Sequence, residues 1–396
     1  MTDTAALAGL APILTTFGVL LLAGLALDAL GRRTRLPRIT LLVVFGAIIG
    51  PAGFGLLPID AENWREITAD LALTMVAFLL GGELSLASLR RHGRAIVWVS
   101  LLVSLVTFAV MTAGLAALGA PIALALALAG VGVATDPAAI RDVVSETRAD
   151  GPVTRTILGI VAIDDAWAII TFSVLLGVLA AAGDGIAGGF GAGAAEIGKS
   201  LAIGAAVGLP ASFASGRIRP GEPTLAEALG LVLLCAGVAE WLGASLLLTG
   251  MTAGAVIVNL ARHHDYSFHE IEHISWPFLI VFFVLAGAGF DPAGLTGALA
   301  LTGGYLVFRT AGRFLGGWIG GRAGGLDDAQ SRRIGLMLTP QAGVALGMAL
   351  VARDALPSIG DTLLNVAVTT TILFEIAGPI ATRILLKRAG ETDARD

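Results

Sequence analysis

Along this chain apolar residues come in long blocks, separated by short stretches rich in Arg, Gly or Pro. Thirteen blocks can be marked, at about 11–30, 38–57, 67–88, 95–119, 122–142, 154–182, 196–215, 223–241, 243–261, 273–290, 298–320, 332–352 and 362–386. Because ~20 apolar residues in helical form span the hydrocarbon core of a bilayer, the pattern predicts an all-α polytopic membrane protein with 13 transmembrane helices. The basic residues agree with that count. Clusters such as Arg32, Arg33, Arg35 and Arg38, or Arg90, Arg91 and Arg94, recur in every second connection and hold 20 of the 25 Lys and Arg. The opposite connections hold only Arg65, Lys199 and Arg353. By the positive-inside rule this alternation puts the N-terminus outside and the C-terminus in the cytoplasm.

Composition narrows the class. Hydrophobic residues make up 56% of the chain and charged residues 14%, more apolar surface than a water-soluble core absorbs. The net charge of −5 comes without any basic stripe, which argues against a nucleic-acid partner. Cys235 is the sole cysteine and lies inside an apolar block, so neither a disulfide framework nor a thiolate metal site is expected, and no cofactor is implied. His263, His264, His269 and His273 fall together in what reads as a polar, solvated loop. The opening Met-Thr-Asp-Thr lacks the basic stretch of a cleaved signal peptide, so the first block is expected to stay as a helix. The excess of Arg over Lys and the abundance of Ala and Gly suit a bacterial chain, and hence the inner membrane. The stretch after Arg388 is too short to fold as a regulatory domain. Gly183 to Gly193 reads as a Gly/Ala-rich outer connection between halves.

Two blocks carry helix breakers at matching places. In the fifth, Val133-Ala134-Thr135-Asp136-Pro137 puts a proline in mid-span, which frees the carbonyl of Val133 and pushes Asp136 out of helical geometry. In the twelfth, Leu338-Thr339-Pro340-Gln341-Ala342-Gly343 does the same to the carbonyl of Leu336. Unwound backbone at membrane depth persists only where protein buries it or a watery cavity reaches it. The breaks are seven blocks apart, an odd offset that inverts the second copy. Blocks 1–6 and 8–13 are therefore expected to form two inverted repeats joined by the seventh, with the broken helices marking the site. Two ordinary proline kinks are the bland alternative.

Charged residues inside the blocks point to the same place. Asp164 and Asp165 interrupt the sixth block roughly 13–15 Å beyond Arg155, a depth at which each charge costs at least ~2.5–3.5 kcal/mol. One buried acid can be structural, but two in succession mark a functional site. In the eleventh block Arg309 and Arg313 share a helix face and are expected to turn inward toward acids. Glu375, in the thirteenth, is expected to be a structural partner of Arg309 or of the broken-helix region, and Glu83 an interfacial residue.

Neighbouring residues on a helix diverge by about 100°, so Asp164 and Asp165 are not expected to meet the same partner. One would meet an arginine while the other faces a cavity near Thr135 and Asp136. A carboxylate there offers the hard oxygen ligands an alkali cation prefers and can hold a proton instead. Competition of the two ions for one acid is already exchange. The half-helix ends carry partial charges; Asp136 is placed to balance facing N-termini and an arginine of the eleventh block facing C-termini.

Taken together, Thr135-Asp136-Pro137, Asp164-Asp165, Gly312-Arg313-Phe314-Leu315-Gly316 and Leu338-Thr339-Pro340-Gln341-Ala342-Gly343 resemble the bacterial monovalent cation/proton antiporter family, the sodium/proton exchangers. Leu36-Pro37-Arg38-Ile39-Thr40, Gly50-Pro51 and Gly81-Gly82-Glu83 extend the resemblance over nearly the whole chain. It implies a homodimer working by alternating access, with 11–88 and 223–290 as the dimerisation domain, 95–182 and 298–386 as the core ion-transport domain, and 196–215 as a linker helix. It maps the ion-binding carboxylate to Asp165. Asp164, Thr135 and Asp136 are expected to complete the Na+ and proton site, with Arg313, Arg309, Gln341 and Glu375 in support and Pro137 and Pro340 making the breaks. The sequence departs from the family's electrogenic branch at Arg313, where that branch has Lys. Lys can release its proton, whereas Arg effectively never does. If Asp165 alone titrates, exchange is electroneutral; if Asp164 also cycles, two protons move per sodium. The expected function is exchange of Na+ or Li+ for H+, with a K+/H+ antiporter the nearest alternative and a sodium-coupled solute symporter a more distant one.

Overall fold

The structure, a computed structural model, describes residues 3–34, 37–57, 62–84, 94–180, 185–214, 224–261 and 264–392. Among these residues the regular structure is helical: α1 Asp3–Thr34, α2 Arg38–Ile49, α3 Glu62–Glu83, α4 Arg94–Ala117, α5 Ile122–Gly132, α6 Pro137–Thr147, α7 Pro152–Ala180 and α8 Gly185–Ala214. There follow α9 Thr224–Trp241, α10 Leu246–Leu260, α11 His264–Ala288, α12 Pro292–Gly297, α13 Leu299–Gly324, α14 Asp328–Met337, α15 Gly343–Ala355 and α16 Gly360–Ala389. Each apolar block has a helical counterpart, and the fifth and twelfth are divided where their prolines fall. Pro137 occupies the first turn of α6, the one helical position where a missing N–H costs nothing. The backbone ahead of it, Asp136, is extended at φ −120°, ψ 97°.

Three expectations are corrected. The stretch from Gly185 onward is helical and belongs to α8, because helix satisfies every backbone polar group within the segment wherever water is scarce; Gly183 and Asp184 lie outside the described residues. His264, His269 and His273 belong to α11, not to a loop. The second block ends early: α2 stops at Ile49 and Gly50 to Leu57 turn back on themselves, since Pro51 cannot supply the next N–H. His92, His263 and the Arg217–Arg219 connection lie outside the described residues, as does the side chain of Glu83.

Small residues set the packing. α13 lies along α4 with Gly312, Gly316 and Gly320 against it; a Cβ at these positions would come within 2.6 Å of Thr107 Cα, 2.6 Å of Val103 Cα and 2.8 Å of Val99 Cα. In a membrane, where lipid is as apolar as leucine, such close backbone approach is what holds helices together. The same device joins α3 to α10 through Gly81 and Gly254, and α2 to α11 through Gly46 and Gly287. α8 packs on both α7 and α10. Around α4 and α13 gather α5, α7 and α14, while α15 packs on α16, which also touches α6 and α14.

A close approach also lies on the other face of α13, where a Cβ at Gly335 of α14 would sit 2.0 Å from the carbonyl oxygen of Arg313. Gly335→Ala is expected to lower stability by about 1–3 kcal/mol, as overpacking does, and to disturb Arg313 with it. Gly303, on the open side of the same helix with nothing within 4 Å, is the control. There alanine is expected to be neutral or to stabilise by up to about 1 kcal/mol. Thermal unfolding of the purified variants, followed by size-exclusion, separates the two outcomes.

Candidate functional site

Both acids of α7 point into protein, Asp164 fully buried and Asp165 2% exposed. Asp164 is ringed by donors. Arg313 Nη1 donates to its Oδ2 at 2.8 Å, the Thr135 hydroxyl to the same oxygen at 2.6 Å, and the Ser104 hydroxyl to Oδ1 at 3.1 Å. The ion pair with Arg313 has no exposed atom on either side chain, so neither charge has water as a substitute partner.

Asp165 turns toward the first break, where its Oδ1 accepts the backbone N–H of Thr135 at 3.3 Å. Thr135 therefore touches both acids, with its hydroxyl on one and its amide on the other. This corrects the expectation that consecutive acids meet different partners. The ~100° divergence between them remains, but a residue in unwound backbone has a free N–H as well as a side chain to offer, and the two point apart.

The arginines divide the work between charge and backbone. Arg313 Nη2 donates to the freed carbonyl of Val133 and, at 3.1 Å, to that of Ala134. Among the described residues no acid accepts a hydrogen bond from Arg309. Its Nε donates to Gly132 O at 2.9 Å, Nη2 to Ala134 O at 2.8 Å and Nη1 to Thr339 O at 2.7 Å, while the guanidinium carbon sits 4.4 Å from the centre of the Phe374 ring. One side chain thus ties the two breaks together. The expected acid partner is replaced by carbonyls because a helix end carries partial negative charge, and three such oxygens satisfy a planar donor fork.

A backbone bond joins the breaks directly, Asp136 N–H to Pro340 O at 3.0 Å. The Asp136 side chain caps α6, its Oδ1 accepting the N–H groups of Ala138 and Ala139 at 3.0 and 3.2 Å. At the second break the freed carbonyl of Leu336 accepts the hydroxyl of Thr339 at 2.8 Å, and Met337 O accepts that of Thr382 at 3.0 Å. Gln341 Nε2 donates to Val131 O at 3.1 Å and to the Tyr305 hydroxyl at 2.8 Å. Gly378 of α16 lets Pro340 approach, since a Cβ there would meet the proline nitrogen at 2.6 Å.

Glu375 stands apart from Arg309. Its Oε2 accepts the hydroxyl of Thr40, on α2, at 3.0 Å, and it is the neighbouring Phe374 that reaches the arginine. Ser104, Tyr305 and Thr382 enter the site without having been singled out in the sequence. Ser104 alone carried a signal, a serine one turn from Ser100 on an otherwise apolar helix. An apolar crevice of about 660 Å³ opens between α2 and α16, lined by Val44, Ile48, Phe54, Ile372 and Leu373 among others; none of the site's acids lines it.

The donor set is one of hard oxygens, the carboxylates of Asp164 and Asp165 and the hydroxyls of Thr135 and Ser104, held against a buried cation and interrupted backbone. Among the described residues no three His, Cys, Asp or Glu gather as a metal centre.

The profile of a family described as "sodium/hydrogen exchanger, transmembrane" matches residues 17–388. The ammonium/H+ antiporter subunit AmhT of Alkalihalophilus pseudofirmus is 23% identical over 387 residues, 96% of each chain. The K+/H+ antiporter subunit KhtU of Bacillus subtilis is 25% identical over 364 residues, 87% of this chain and 86% of that one. Among solved structures, the sodium proton antiporter MjNhaP1 of Methanocaldococcus jannaschii superposes with a TM-score of 0.75, covering 95% of this chain and 98% of its own at 19% identity.

Proposed function

The chain belongs to the sodium/hydrogen exchanger family, and from that premise we propose that it exchanges Na+ or Li+ for H+ by alternating access, the two ions competing for Asp165. It is a multi-pass membrane protein of the cation/proton antiporter type, a transporter and not an enzyme, and its ions are substrates rather than cofactors. The observation that carries the proposal is the contact of Asp165 with the unwound backbone at Thr135, beside an acid already committed to Arg313. Asp164 is engaged by three donors, and it is Asp165 that meets the unwound backbone where the ions would be exchanged. The Thr135 hydroxyl and Asp164 supply further oxygens for the cation, and Asp136 holds the break open as the cap of α6.

Arg does not release its proton at physiological pH, so no proton travels on Arg313. With Asp164 committed to that arginine and Asp165 the one acid that cycles, the exchange is one for one and electroneutral. α4 to α7 with α13 to α16 form the mobile core, and α1 to α3 with α9 to α11 the dimerisation scaffold of a homodimer, α8 linking them. The close contacts of α4 with α13 and of α3 with α10 support that division. The protein sits in a bacterial inner membrane with its N-terminus outside and its C-terminus in the cytoplasm.

K+ or ammonium in place of Na+ is the second reading, favoured by the substrates in the names of two relatives. The test is reconstituted proton flux against Na+, Li+, K+ and ammonium gradients at several pH values, with the membrane potential clamped. The expected result is flux driven by Na+ and Li+. Flux driven by K+ or ammonium alone selects the second reading, and flux with none of them removes the exchanger assignment.

A further inference from the structure

α7, which carries both acids, begins at Pro152 with Gly151 in the capping position, and glycine has no side chain to accept the first-turn N–H groups that every helix leaves over. A residue 238 positions further on does so instead. Glu391 Oε1 accepts Val153 N–H at 2.8 Å, and its Oε2 accepts both the N–H and the hydroxyl of Thr154 at 2.7 Å. Its backbone carbonyl accepts Asp150 N–H at 3.0 Å. The carboxylate also meets the positive end of the α7 dipole. Gly151 fits this arrangement, because a Cβ there would lie 2.2 Å from the Glu391 carboxyl carbon.

Glu391 directly follows Gly390, which ends α16 at φ 73°. The last turns of α16 hold the other half-helices as well, Arg383 pairing with Glu146 of α6 and Thr382 binding the carbonyl of Met337 in α14. α6 starts at the break that presents Thr135, and α7 presents Asp165 to it. The position of α7 against that break is therefore set from its cytoplasmic-side end by one carboxylate at the end of α16.

We propose that Glu391 is a positioning residue for the ion site, the N-cap of α7 supplied from the far end of the chain; its effect on transport rests on the reading of Asp165 given above. The test uses the purified full chain, with amide hydrogen exchange in α7 and cation-dependent proton flux in proteoliposomes as separate readouts. In Glu391→Ala the amides of residues 153–156 are expected to exchange about 3- to 30-fold faster, the range a lost cap implies. Those of α4 and α13 stay unchanged, and the apparent KM for the cation rises severalfold more than Vmax falls. Adding Gly151→Ser to Glu391→Ala places a local cap in the vacated space, and both readouts are expected to return toward wild type. Unchanged exchange in Glu391→Ala overturns the cap. Faster exchange with an unchanged KM, or a KM that Gly151→Ser does not rescue, overturns the positioning role. If wild-type protein carries no cation-coupled flux, the reading of Asp165 fails and the positioning role falls with it, while the cap is still decided by exchange alone.

Discussion

Asp165→Asn is expected to bring cation-dependent proton flux down to that of protein-free vesicles while the chain still folds. Asparagine has nearly the shape of aspartate and keeps the oxygen that accepts the Thr135 N–H, so the contact with the first break survives. What is lost is the charge that attracts a cation and the site that takes up a proton. The buried cation Arg313 keeps its pairing with Asp164. Removing a charge at that depth, where lipid-facing scales penalise each by at least ~2.5 kcal/mol, leaves stability equal or slightly raised, and thermal unfolding checks that. Normal flux in Asp165→Asn would remove the assignment outright. Asp165→Glu is the graded companion: it keeps a carboxylate but moves it by one methylene against a fixed backbone donor, and it is expected to retain exchange with weaker apparent cation affinity.

The parts of this site that were legible in the sequence are those that violate a local rule. Proline in an apolar helix and carboxylates at membrane depth are costly wherever they occur, so Pro137, Pro340 and the acid pair announce themselves. The arginines announced their inward orientation for the same reason, and that one of them meets an acid, as Arg313 meets Asp164, but not the partners of the other. A sequence marks formal charges, whereas the acceptors of Arg309 are main-chain carbonyls of Gly132, Ala134 and Thr339, which every residue possesses and which only a broken helix exposes. Of the two partners expected for Glu375, Arg309 or the broken-helix region, matching charge to charge pointed to Arg309, whereas Glu375 accepts the neutral hydroxyl of Thr40 on another helix. Glu391 carries no signal at all, because a cap read from sequence is sought a few residues from its helix and this one comes from the opposite end of the chain. The Gly/Ala stretch beyond Gly185 misled because glycine means a turn in water but suits close helix contact in a membrane.

Arg313→Met is expected to destabilise the protein by about 3–5 kcal/mol, the range found when one member of a buried pair is deleted. The loss is twofold: Asp164 loses its counter-ion, and the carbonyls of Val133 and Ala134 lose a donor. Asp164→Asn is expected to cost less, since the one oxygen asparagine keeps can still accept from Thr135, and Arg313 keeps the carbonyls of Val133 and Ala134. The double variant Asp164→Asn with Arg313→Met should be more stable than the sum of the singles by 1 kcal/mol or more, a coupling of the size that residues in one network show. Simple additivity would mean that the pair contributes no charge compensation. Arg313→Lys separates charge from geometry. An ammonium restores a counter-ion for Asp164 but is a point donor rather than a planar fork, so stability is expected to recover only in part. It also brings in a group able to give up its proton. Wild-type exchange is expected to run at the same rate with or without an imposed membrane potential, because the basic partner of Asp164 carries no proton through the cycle. Voltage dependence appearing only in Arg313→Lys would place the lysine in the proton count; voltage dependence already present in the wild type would mean that Asp164 cycles too, and one-for-one exchange would have to be abandoned.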